Sequence, residues 1–173
     1  MVSVAIAVAC LFAAVSTEAS APCNFNGPFQ AWRSVNGPGS GGYYMVKTTD
    51  PQTPDCPYVL VPRTRLTEGD AVEFTYGSLE DGELTRRTAT VSGQGSNIVV
   101  TGGDNPGTTT LIFSDYQTCD VVRGPTGGYE LWVHADNVHD SSHGCCDTKF
   151  YQVTGGNGIR DVYQETCPPL PTQ

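Results

Sequence analysis

Between Tyr43 and His134 short apolar runs alternate with clusters of Gly, Pro, Asn and Asp, and this alternation predicts the architecture. Eight runs read as β-strands: Tyr43–Thr49, Tyr58–Leu66, Ala71–Tyr76, Leu84–Val91, Ile98–Thr101, Thr109–Tyr116, Thr118–Arg123 and Tyr129–His134. Val72, Phe74 and Tyr76 alternate with Ala71, Glu73 and Thr75, the period-two mark of a strand with one buried face. The same parity sets Leu111 and Phe113 opposite Ile112 and Ser114. Connectors such as TEGD, SGQGS and GPTGG carry the residues that supply special turn angles. They are too short for parallel crossovers, so the order is antiparallel and up-and-down. Eight such strands close most simply into a barrel, which removes exposed edges and leaves an interior for one small ligand. A β-sandwich is the alternative.

Two segments break the strand pattern. PFQAW, Pro28–Trp32, predicts a short helical turn, and Cys146, Phe150 and Val153 at i, i+4 and i+7 predict a helix over Cys145–Val153. Gly155, Gly156 and Gly158 end it, before a proline-rich tail.

Residues 1–21 read as a secretory leader, an apolar run from Val2 to Val15 followed by Ala19-Ser20-Ala21 as the cleavage site. The run is shorter than a bilayer span. The remaining residues, 22–173, fit one domain. Losing the leader removes Cys10 and leaves Cys23, Cys56, Cys119, Cys145, Cys146 and Cys167, an even set that predicts three disulfides in an exported chain. Adjacent cysteines on a helix diverge, so Cys145 and Cys146 take different partners. Six cysteines allow about 15 pairings, and that exclusion does not choose among the rest. A zinc site does not suit their long spacing, and no cofactor or metal is expected.

The formal charge is −9, which argues against nucleic acid and anionic membranes as partners and favours cationic ligands. His134, His139 and His143 read as part of a solvated loop with Asp136 and Asp140, and no hydrolase, zinc-protease or phosphate-binding motif occurs, so an enzyme is not expected.

The candidate chemistry lies between Cys119 and Cys146. If GPTGG turns symmetrically about Thr126, Val122 faces Glu130 and Asp120 faces Trp132, so that all four share one face. Facing outward, the acids are ordinary surface charges, with Tyr129, Leu131 and Val133 filling the interior. Facing inward, they are buried charges that call for a cationic partner, with Trp132 offering a π face.

Cys119-Asp120-Val121, Glu130-Leu131-Trp132 and Cys145 resemble the biogenic-amine-binding signature of tick salivary lipocalins, C-D-[VIL], E-L-[WY] and C in that order. PFQAW, YYMVKTTDPQTPDC and YELWVHADNVHDSSHGCC are similar to soft-tick members, including the moubatin-like and complement-inhibitor branch. The resemblance covers Cys23 to Cys167. It implies an eight-stranded lipocalin barrel with a C-terminal helix, secreted in saliva as a monomer to scavenge a host mediator such as histamine or serotonin. It also implies the pairings Cys23–Cys145, Cys56–Cys167 and Cys119–Cys146, and assigns Asp120 and Glu130 to the ligand's ammonium. Tyr43, Phe74, Tyr76 and Phe113 are candidate aromatic wall residues, and Asp50, Glu73 and Asp115 candidate further acids. Two other functions remain open within the family. One is a leukotriene or fatty-acid scavenger using Arg63, Arg65, Arg86, Arg87 or Arg123, and the other a complement or platelet inhibitor acting through surface loops.

Overall fold

The computed structural model describes residues 23–173; the expected leader, residues 1–21, lies outside the described residues. The chain runs through helix α1 (Ala31–Asn36), then strands β1 (Gly42–Thr48), β2 (Tyr58–Leu60), β3 (Ala71–Gly77), β4 (Arg87–Gln94), β5 (Asn97–Thr101), β6 (Gly107–Ser114), β7 (Cys119–Arg123) and β8 (Tyr129–His134). Helix α2 (Cys145–Thr154) follows. Each strand pairs antiparallel with the next, and β8 returns to β1 from Tyr43↔His134 to Thr48↔Glu130, closing the barrel. On the Tyr58 side of β2, where its pairing with β1 begins, a short strand at Arg160–Asp161 takes over that edge of β1, pairing with Lys47 and Thr48.

Three boundaries differ from the sequence reading, each for a local reason. Strand β2 stops at Leu60, where Val61 precedes Pro62, which has no N–H for a ladder. The expected continuation to Leu66 is replaced by a side-chain mimic of a strand: Leu66 N–H donates to Asn36 Oδ1, and Asn36 Nδ2 donates to Leu66 O, both at 2.9 Å. Leu84, expected to open β4, instead pairs with Leu79 in a small separate hairpin, and β4 begins at Arg87.

Helix α1 forms three residues later than the expected turn and lies across one end of the barrel. Gly93 in β4 permits this, because a Cβ there would stand 2.3 Å from the backbone nitrogen of Trp32. The approach leaves Ala31 and Ser34 buried.

The main apolar cluster lies on the outside of the wall. Tyr44, Val46, Val121, Leu131 and Val133 point away from the barrel interior and pack with Cys146 and Phe150 of α2. Leu131 and Val133 are therefore buried without filling the barrel, which leaves their strand neighbours free to line a cavity. The three disulfides are Cys23–Cys145, Cys56–Cys167 and Cys119–Cys146, as the resemblance implied. The two through Cys145 and Cys146 fix α2 over this outer core.

A correction concerns His134. It is the last residue of β8 and buried, with its ring edge-on to Tyr43 at 5.1 Å and Nε2 3.0 Å from Ser40 O. His139 is exposed, as a loop residue should be, and His143 lies partly buried before α2.

Candidate functional site

The interior holds a cavity of about 470 Å³, within the range of small-molecule sites. Its position follows from strand parity. In the β7–β8 ladder Glu130 pairs with Val122 and Trp132 with Asp120, the symmetric register, and all four line the cavity. Tyr43 and Met45 of β1, Phe74 and Tyr76 of β3, and Val59 of β2, which pairs with both Tyr43 and Tyr76, supply more of the wall, while Ser34 and Val35 of α1 form part of its floor. The walls are thus apolar and aromatic, with acids at few points.

Asp120 sits at the α1 end. Ser34 Oγ donates to Asp120 Oδ2 at 2.8 Å, and Oδ1 has no hydrogen-bond partner although it is fully enclosed. Burial pushes the carboxyl pKa from 3.8 up to about 6; the hydroxyl of Ser114, its cross-strand neighbour but outside hydrogen-bond geometry, and the bonded hydroxyl of Ser34 hold it down, and the charge of Asp115 adds a little. Beside it, burial and then the neighbouring charges of Asp120 and Asp115 push the Tyr43 hydroxyl well above its ordinary range, so it stays a neutral donor. Tyr43 donates to Gln117 O at 3.3 Å.

Glu130 lies further along β8, toward the β7–β8 turn. Trp132 Nε1 donates to Glu130 Oε2 at 2.8 Å, which leaves Oε1 free. Burial raises this carboxyl from 4.5 to about 6, the indole bond opposes the rise, and Asp50 adds to it. Asp50 also lines the cavity; its Oδ2 accepts from Thr126 Oγ1 at 2.8 Å and its Oδ1 from Gln52 N–H, bonds that lower its pKa.

The remaining candidates fall elsewhere. Phe113 does not line the cavity: it packs edge-on against Phe25 and Phe29 at 5.4 and 5.5 Å in the outer core. The cause is a bulge in β6. Leu111 pairs with Val122 but Phe113 pairs with Val121, so the register slips at Ile112 and the side chains after it change faces. Glu73 is exposed on β3. Asp115 organises the β6–β7 turn by accepting from the backbone of Gln117, Thr118 and Cys119. Of the candidate arginines among the described residues only Arg87 reaches the cavity, and its guanidinium is already paired with Glu80 and Asp104 at 2.8 and 2.7 Å.

Sequence reasoning missed Ser34, since a lone serine on a six-residue helix carries no local signal. It missed Met45 and Val59 as wall residues for a similar reason: each is one apolar position in an apolar run.

A closed eight-stranded antiparallel barrel, plugged by a short helix at one end, braced by a second helix and holding buried polar groups in an apolar cavity, defines a non-enzymatic lipocalin-type binding protein. The chain belongs to the tick histamine binding protein family, whose model matches residues 24–169. Moubatin from Ornithodoros moubata is 26% identical over 159 residues, 90% of this chain and 91% of its own length. The crystal structure of an AM182 serotonin complex is 58% identical with a TM-score of 0.85, covering 87% of this chain and 100% of that one. The cockroach allergen Per a 4 shares the fold alone, at TM-score 0.52 and 18% identity over 74% of this chain and 87% of its own.

Proposed function

We propose that this protein is a secreted salivary scavenger that takes up a biogenic amine, serotonin or histamine, inside its barrel and so lowers the free mediator available to the host. The observation that carries the reading is Asp120 Oδ1, an enclosed carboxylate oxygen without a partner on the wall of an apolar cavity. A buried anion left unpaired is costly, and an ammonium that binds it recovers the attraction in a site of low dielectric. Trp132, Tyr43, Phe74 and Tyr76 offer aromatic surface to the rest of such a ligand.

The chemistry of the wall weighs against the lipid-mediator reading. A fatty carboxylate calls for a free cation, and Arg87, the single Lys or Arg on the cavity wall among the described residues, is already held by two acids. The 58% identity to the protein of the AM182 serotonin complex supports the amine in particular.

Calorimetric titration of the delipidated protein with serotonin and histamine tests this. We expect one of them to bind in the submicromolar range, and Asp120→Asn to weaken it by about 2 to 5 kcal/mol, the cost of removing one member of a buried charge pair. Unchanged affinity in Asp120→Asn, or tighter binding of a leukotriene than of either amine, overturns the proposal.

A further inference from the structure

Tyr116 lies in the β6–β7 turn with φ +63°, in the left-handed region that a bulky L residue rarely adopts. Glycine takes that backbone without strain, so what Tyr116 adds to the fold is in its own groups. Three of them bear on the acid at the α1 end of the cavity. Its hydroxyl accepts from Gln30 N–H at 3.0 Å, where α1 begins, and the Arg33 guanidinium sits over its ring at 4.1 Å. The Gln30 carbonyl in turn accepts from Ser34 N–H at 3.3 Å. The same turn aims Tyr116 N–H back onto Ser114 Oγ at 2.8 Å.

Ser34 and Ser114 carry the two hydroxyls beside Asp120. Ser34 Oγ donates to Asp120 Oδ2, and Ser114 is the cross-strand partner of Asp120 in the β6–β7 ladder. Tyr116 therefore grips both from one position, Ser114 through its backbone and Ser34 through the start of α1. That helix needs an external hold: it is six residues long and has no side-chain cap at its start, and so short a helix is not stable alone in water. Ala31 N–H, donating to Gly95 O at 2.8 Å, is a second tie at that end, and the Asn36–Leu66 pair fixes the other.

Resting on the amine reading above, we infer that Tyr116 is a positioning residue for the ammonium site: it holds the start of α1 so that Ser34 fixes Asp120 Oδ2 and leaves Oδ1 to the ligand. The effect is electrostatic as well as geometric. Burial lifts the Asp120 pKa to about 6 and the two hydroxyls restrain it, so a slackened α1 lets it climb further and takes charge from the acid near neutral pH. The other titratable groups acting there are Tyr43 of β1, which stays neutral, and Asp115 of the turn, and the substitutions below leave both in place.

Two readings on the delipidated protein test this. One is the pH titration of the Asp120 carboxyl carbon by NMR without ligand, assigned by its loss in Asp120→Asn; the other is calorimetric titration with serotonin and histamine at pH 7.4. Tyr116→Asn suits the left-handed backbone and drops ring and hydroxyl while keeping the N–H to Ser114. It should raise the Asp120 pKa by about half a unit or more, roughly threefold in proton affinity. Amine binding should weaken at least about threefold, part of what a hydrogen bond to a charged group contributes. Tyr116→Phe, which loses only the hydroxyl, should move both readings the same way but less. Ser34→Ala sets the upper limit, and in that background Tyr116→Asn should add nothing, because the two act in series. Asp81→Gly, at another positive φ in an exposed hairpin, should change neither reading. Either reading unmoved in Tyr116→Asn, or effects of Tyr116 and Ser34 that add in the double variant, overturns the inference, and amine binding by the parent then leaves the proposed function standing. A parent that binds neither amine removes the proposed function and the ligand role of Tyr116 with it.

Discussion

Ser34 Oγ, on the helix that plugs the barrel, donates to Asp120 Oδ2 at 2.8 Å across 86 positions of sequence. The bond fixes one oxygen and leaves the other as an uncompensated charge, which makes Asp120 a liability to the empty fold. Its pKa is raised from 3.8 to about 6, so the folded state binds the proton more tightly than the unfolded chain. Stability from this group is thus full below about pH 4 and is lost as pH rises toward 6.

Asp120→Asn removes the penalty while keeping an acceptor for Ser34. At neutral pH the unliganded variant should be more stable than the parent by up to about 3 kcal/mol, at about 1.4 kcal/mol per pKa unit. Urea denaturation measures the difference, and a variant less stable than the parent contradicts it.

Amine affinity should fall with acidity. Burial brings both Asp120 and Glu130 to about 6, so both are ionised at pH 7.4 and both become neutral below pH 6. Below that point affinity should drop about tenfold per pH unit for each acid whose charge the ligand needs. Titrations between pH 5 and 8 read the slope, and a flat profile excludes both carboxylates from the contact.

Trp132→Phe keeps an aromatic wall and deletes the indole donor to Glu130 Oε2. That bond holds the Glu130 pKa down, so its loss should push the pKa higher still. The midpoint of the affinity profile should then move toward neutral pH. An unmoved midpoint means that the bond does not tune the acid.

Phe113→Ala separates the outer core from the cavity. The side chain is buried against Phe25 and Phe29, so its loss should cost about 3 to 5 kcal/mol of stability. Amine affinity should change less than threefold. A large affinity loss in a folded variant would put Phe113 back among the ligand contacts.

What was legible in the sequence was periodic or punctuated. Alternation along Ala71–Tyr76 and the turn-forming connectors gave the strands and their antiparallel order, and the symmetry of GPTGG gave the register that unites Asp120, Val122, Glu130 and Trp132. The facing of that patch was not legible. Leu131 and Val133 are as apolar as any barrel filling, and only the docking of α2 shows that their apolar face meets a core outside the wall. Phe113 failed for a different reason: parity assumes an unbroken ladder, and a one-residue slip at Ile112 has no sequence mark. The pairing of the cysteines came from family resemblance, because spacing alone left several connectivities open.

The three disulfides have a consequence for survival among proteases. Cys23–Cys145 spans every peptide bond from one end of the described chain into α2, and Cys56–Cys167 spans every bond from the β1–β2 loop almost to the other end. Any single cut between Cys23 and Cys167 therefore leaves two pieces that remain covalently joined. A nick in an exposed loop does not release a strand, and the nicked molecule can keep its barrel, its cavity and its cargo.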